Sequence, residues 1–123
     1  MEELTKTEER VMQVIWRLKK CFVKDIIDEL PEDPKPPYNT ISSVVRLLEK
    51  KGYVGYKAYG KTYEYFALIS KSAYRKASFS KFFSGYFDSS AESLISFMIK
   101  EEQLSDEEIQ KLRDIINKNT NHD

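Results

Sequence analysis

The sequence predicts a mainly α-helical chain carrying one small β-hairpin, arranged as two consecutive modules. Apolar residues recur at helical spacing in six separate stretches, and the spacing drops to a period of two only between Tyr53 and Leu68. All four prolines fall in a single run, Pro31 to Pro37. With 123 residues and 41% hydrophobic content the chain can bury a core, and its seven Phe, eight Tyr and one Trp argue against disorder.

The first helix is expected to start at Thr5, where Thr5 and Glu8 have capping-box spacing ahead of the apolar set Val11, Met12, Ile15 and Trp16. Lys19 and Lys20 suit the negative end of its dipole. Cys21-Phe22-Val23 reads as one short strand. A second helix, about Val23 to Leu30, carries Ile26, Ile27 and Leu30 on one face. The proline run then stops it, because proline removes a backbone donor and restrains the residue before it. A third helix, about Tyr38 to Lys51, places Ile41, Val44, Val45 and Leu48 toward the core, with Gly52 as its C-terminal cap.

Tyr53 to Tyr59 and Thr62 to Leu68 are rich in strand formers, and Tyr59-Gly60-Lys61 supplies the turn between them. Helical spacing returns from Lys71 to Phe87. A further helix capped by Ser89 or Ser90 runs to about Glu102. The capping box Ser105–Glu108 opens the last helix, and the final residues read as a frayed tail.

Helix, helix, proline loop, helix and hairpin is the order of a winged helix, whose third helix enters the major groove while the hairpin touches the backbone. The expected modules are a winged-helix DNA-binding domain over residues 1–69 and a three-helix dimerisation domain over residues 70–123.

Formal net charge is zero, but charge is segregated along the chain. Lys35 to Lys61 holds six Lys or Arg and the single acid Glu49, whereas Glu101 to Glu108 holds five acids and no base. A local basic patch suffices to engage phosphates. On the outward face of the third helix, Asn39, Thr40, Ser42, Ser43 and Arg46 have the chemistry to read base edges. Tyr38, Lys50, Lys51, Lys57 and Lys61 are expected at the DNA backbone, positioning without reading. The competing interpretation is a solvated helix face.

The helices beyond residue 70 add apolar surface to a domain that already has a core. Tyr74, Phe79, Phe82, Phe83, Leu94, Phe97, Met98, Ile109, Leu112, Ile115 and Ile116 are the expected dimer contacts. Folding back onto the same protomer is the alternative.

Catalysis has little to build on. The only histidine, His122, sits in the tail, and four glycines form no phosphate loop. No cluster of Cys and His could ligate a metal, so no metal and no cofactor is expected. The acidic N-terminus is unlike a secretory signal, no apolar run reaches membrane length, and lone Cys21 cannot form an internal disulfide. A cytoplasmic protein follows, with Cys21 a small buried apolar residue rather than a redox sensor.

The segments E-R-V-M-Q-V-I-W, N-T-I-S-S-V-V-R-L-L-E-K-K-G-Y-V, Y-E-Y-F-A-L and L-S-D-E-E-I-Q-K-L-R-D-I-I-N together resemble the BlaI/MecI family of penicillinase repressors, over nearly the whole chain. The resemblance implies a cytoplasmic homodimer that binds an inverted-repeat operator and blocks transcription. It also implies induction through a membrane sensor metalloprotease that cuts the dimerisation region. The family's cut falls between Asn and Phe, which corresponds to Ser96-Phe97 here, with Ser in place of Asn. The loop before the third helix is Pro-Pro-Tyr where close relatives carry Ser-Pro. The C-terminal cysteine motif of the copper-responsive branch is missing. Alternatives outside this reading are a regulator sensing a small ligand beneath the aromatic helix, and an interaction module without specific DNA binding.

Overall fold

The computed structural model describes residues 1–101 and 104–120. Its elements are α1 (Lys6–Leu18), β1 (Lys20–Cys21), α2 (Val23–Glu29), α3 (Tyr38–Lys50), β2 (Val54–Tyr59), β3 (Thr62–Ala67), α4 (Lys71–Phe87), α5 (Ala91–Glu101) and α6 (Asp106–Thr120). This is a mainly helical chain with a three-stranded antiparallel sheet of order β1-β3-β2, in winged-helix sequence. Among the expectations, the end of the fifth helix near Glu102, the tail residue His122 and the side chain of Ile116 lie outside the described residues.

Two compact units divide the chain, Met1–Ala77 and Ser78–Asp123. The first unit owns a continuous core. Val11, Met12 and Ile15 of α1, Ile26 of α2, and Val45 and Leu48 of α3 close over Tyr53, Val54 and Cys21. Burying each large apolar side chain contributes roughly 1.5–3 kcal/mol, so α1, α2 and α3 are held mainly by this shared interior.

Local sequence explains where the elements begin and end. The α1 capping box forms as the spacing predicts: Thr5 Oγ1 accepts the Glu8 N–H at 3.1 Å, and Glu8 Oε1 accepts the Thr5 N–H at 2.8 Å. β1 covers Lys20–Cys21 rather than the expected 21–23, because the Asp25 carboxylate accepts the Phe22 N–H at 2.9 Å and turns Phe22-Val23 into the start of α2. α3 ends in a Schellman arrangement. Gly52, at φ +84, lets its own N–H reach Glu49 O at 3.0 Å and the Tyr53 N–H reach Leu48 O at 2.9 Å. The hairpin turn is the two-residue Gly60-Lys61, with Tyr59 paired to Thr62 and Gly60 at φ +63.

Glu8 is 3% exposed, the buried acid of the core. Its Oε1 also accepts from Lys51 Nζ at 2.8 Å, tying the start of α1 to the end of α3. Burial pushes the Glu8 carboxyl up, but the Lys51 ammonium and the Thr5 hydrogen bonds outweigh burial and hold it below the usual value.

Tyr74 also belongs to the first unit. Its ring lies 5.5 Å from Trp16 and 5.8 Å from Tyr53, and its hydroxyl donates to Glu9 Oε2 at 2.7 Å. Tyr74, expected among the dimer contacts, makes these contacts within one protomer, and they place the first turns of α4 with the winged helix. That is why the division falls after Ala77 rather than after residue 69.

The second unit is built differently. No described residue of α4 or α5 is buried. Phe79 stacks on Phe83 at 5.4 Å, Phe82 meets Tyr86 at 5.3 Å, and Phe87 meets Phe97 at 5.5 Å. Phe79, Phe82, Tyr86 and Phe97 stay exposed, while Leu94, Met98, Ile109 and Leu112 are half-buried and Ile115 is exposed. Ser90 rather than Ser89 caps α5, accepting the Ser93 N–H at 3.2 Å, and the Ser105–Glu108 box caps α6.

Candidate nucleic-acid interface

The candidate interface begins with the outward stripe of α3. Ile41, Val45 and Leu48 turn inward, which leaves Asn39, Thr40, Ser43, Arg46, Leu47 and Lys50 exposed along one side. Of the five expected base readers four are exposed, and Ser42 is half-buried beside them. Ser43 Oγ donates to Asn39 O at 2.9 Å. With its proton engaged there, the Ser43 oxygen is left to accept, which suits an adenine or cytosine amino group.

Leu47 was not among the expected readers. It is 50% exposed in the middle of this stripe and supplies the apolar surface that a thymine methyl group fits. Helical spacing could have found it, since residue 47 follows Asn39, Ser43 and Arg46 around the same side.

The basic run is only partly available to a ligand. The ammonium of Lys51, which was expected at the DNA backbone, is bound by Glu8 and by Glu3 O at 3.1 Å, and its side chain is only 22% exposed. Lys35 is likewise committed, donating to Asp28 O at 3.2 Å and to Leu30 O, where it closes the end of α2. Arg46, Lys50, Lys57 and Lys61 form no ion pair among the described residues, and Lys57 lies 5.3 Å over the Tyr59 ring.

The wing adds aromatic structure. Tyr56 and Tyr63 stack at 4.4 Å with 20° between their planes, and both lean on Tyr65, which is buried. Burial pushes the Tyr65 phenol up, with Glu49 nearby adding to the effect, so it stays neutral. A trough of about 560 Å³ runs between α3, the start of α2 and β3; Tyr38, Arg46, Lys61 and Tyr63 line it.

The remaining candidates carry no chemistry of their own. Cys21 is fully buried and its thiol is pushed up to about 12, chiefly by that burial with Asp25 and Glu64 adding to it. It is thus a protonated core residue at neutral pH, not a reactive thiolate. Among the described residues no group of three or more His, Cys, Asp or Glu is placed to hold a metal ion. No helix of the described residues is long and apolar enough to cross a membrane. Ser96 and Phe97, the pair matching the expected cleavage site, lie inside α5 with both side chains exposed.

Known proteins place this arrangement in context. The sequence profile described as "Penicillinase repressor" matches residues 4–118. Over 116 residues the chain is 29% identical to the methicillin resistance regulatory protein MecI of Staphylococcus aureus strain N315, covering 94% of each. Over 119 residues it is 26% identical to a penicillinase repressor of Bacillus licheniformis, covering 97% of this chain and 93% of that one. A solved structure described as a CopR repressor overlaps at a TM-score of 0.46 with 25% identity, over 56% of this chain and 100% of that one.

Proposed function

The chain belongs to the penicillinase repressor family, and from that membership we propose that it acts as a homodimer on an inverted-repeat operator, controlling antibiotic-resistance or cell-wall-stress genes. That it is a transcriptional repressor and not an enzyme follows from its relatives. The observation that carries the finer reading is the outward stripe of α3. Asn39, Thr40, Ser43, Arg46 and Leu47 stand together on one side of a helix whose other side is core, next to a wing whose cations form no ion pair among the described residues. In this reading α3 enters the major groove. Asn39 and Arg46 pair with base edges and Leu47 packs on a thymine methyl. Tyr38, Lys50, Lys57 and Lys61 hold phosphates.

Fluorescence anisotropy on the protein's own upstream DNA, against a scrambled duplex and across a salt series, tests this reading. Preference for the native duplex with two chains per site is the expected result. Arg46→Ala should weaken specific binding by about 1–3 kcal/mol and relax one base position. Lys61→Ala should weaken all duplexes alike and flatten the salt slope by roughly one. Identical behaviour of the two variants would show that reader and positioner are wrongly divided.

A homodimer is supported by the second unit, whose aromatic array leaves no described residue of α4 or α5 buried within one chain. The dimer contacts are then Phe79, Phe82, Phe83, Leu94, Phe97, Met98, Ile109, Leu112, Ile115 and Ile116. Induction is by scission of the Ser96–Phe97 bond, carried out by a membrane sensor metalloprotease in the cytoplasm. Because that bond lies in the middle of α5, the helix must open before a protease can bind the segment in extended form. Mass spectrometry after incubation with the cognate sensor's protease domain should find two fragments separated at this bond; an uncut chain would refute it.

A further inference from the structure

Away from the α3 stripe the first unit holds a second concavity, of about 450 Å³, where α1, the end of β3 and the start of α4 meet. Its floor is apolar: Trp16 and Phe66 supply rings and Ala67 a methyl group. The indole N–H of Trp16 is engaged by Ile69 O at 2.9 Å, which leaves ring surface for the cavity. Arg17, Lys19 and Lys71 also line it, and among the described residues no acid does. Arg17 is held by Glu29 at 3.1 Å, whereas Lys19 and Lys71 form no ion pair among the described residues. Gln13 and Ser70 add an amide and a hydroxyl.

Local energetics does not account for either free lysine. Lys19 ends α1 at φ +74 and ψ −56, backbone that favours glycine over a residue with a Cβ. Lys71 is the first residue of α4, where the helix dipole disfavours a cation and no acid in the first turn offsets it. Two cations at unfavourable places, brought from different elements to one rim, point to an anion between them. The volume lies within the range of small-molecule sites, roughly 300–1,000 Å³, and an apolar floor with a few convergent polar groups is their usual make-up. We propose that this cavity binds a small aromatic carboxylate, its ring on Trp16 and Phe66 and its carboxylate between Lys19 and Lys71, with Gln13 and Ser70 as hydrogen-bond donors. None of the lining residues belongs to α3 or the wing turn, so the inference does not depend on the DNA-binding reading. A ligand seated there touches α1, β3 and the start of α4 at once and braces the joint that the Trp16–Ile69 hydrogen bond makes.

The test titrates the full-length protein, isotope-labelled for NMR, with cinnamate as the probe. Trp16 is the single tryptophan, so its indole N–H gives one assignable signal at the cavity floor. Cinnamate should shift that signal saturably and raise the thermal midpoint, since it binds only the folded chain. Cinnamamide, the same flat body without the charge, should bind about fivefold more weakly or worse, and acetate should leave the signal in place. Lys71→Gln and Lys19→Gly should each weaken cinnamate about twofold to fivefold, the range of an exposed charge pair. Lys19→Gly also separates binding from folding. Glycine suits φ +74, so the midpoint without ligand should not fall while the affinity does. A Trp16 signal that stays put at millimolar cinnamate, equal binding of cinnamamide, or full affinity in both lysine variants would overturn the site. So would acetate moving the signal as far as cinnamate, because the cavity would then hold a bare anion.

Discussion

A chain ending at Ala77 is expected to elute as a monomer and to lose about 10²–10⁴-fold in affinity for the full operator, while binding a single half-site as the intact protein does. The first unit keeps everything its core uses. Trp16, Tyr53 and Tyr74 remain in contact, and α1, α2 and α3 close over the same interior. Only the helices beyond Ala77, with the aromatic array of α4 and α5, are removed. Joining two reading modules makes the second binding event intramolecular, at an effective concentration near the millimolar range, and that advantage disappears when the join is lost. Analytical ultracentrifugation gives the state, and anisotropy on whole and half operators gives the two affinities. Full-operator binding as tight as that of the intact protein would show that the second unit does not couple the two sites. The proposed scission at Ser96–Phe97 would act through the same loss, because it would divide α5 within this unit.

Much of the fold was legible because its signals are local. Thr5 and Glu8 cap α1 at fixed spacing, four prolines must break the chain, Gly52 and Gly60 occupy positive φ, and periodicity alone assigned Ile41, Val45 and Leu48 to the interior. The site was less legible, for reasons of distance along the chain. Periodicity orients a side chain about its own helix axis but is silent on what the side chain meets. Lys51 stands in a basic run, yet its partner Glu8 is 43 residues away. A warning was present in the sequence: the N3 position of the capping box lies one turn before Met12, so Glu8 is carried toward the core and needs a cation. Tyr74 was assigned by composition to an aromatic stripe, although its contacts are with Trp16 and Tyr53.

Trp16→Ala should be the most damaging single substitution in the first unit, costing about 3–5 kcal/mol. Trp16 is 8% exposed, and three kinds of interaction converge on it. Its ring fills the space beside the α1 core residues and lies tilted against Tyr74 with centroids 5.5 Å apart, and its indole N–H donates to Ile69 O at 2.9 Å. The last contact spans 53 residues and fixes the chain where the sheet has ended and α4 is about to begin. Truncation to alanine leaves a cavity, removes the aromatic partner of Tyr74 and strands the Ile69 carbonyl at once. For a domain whose net stability is about 5–15 kcal/mol, that loss takes a large share of the total. Trp16→Phe separates the contributions, since it keeps most of the volume and loses the donor, and should cost about 1–3 kcal/mol. Urea unfolding followed by circular dichroism measures both, and avoids reliance on the fluorescence of the chain's single tryptophan. Nearly equal midpoints for the two variants would mean that the hydrogen bond to Ile69, rather than the packed ring, holds the start of α4 to the core. A loss below about 1 kcal/mol for Trp16→Ala would contradict the packing described, because no site that empties an indole-sized volume next to Met12 and Ile15 collapses so cheaply.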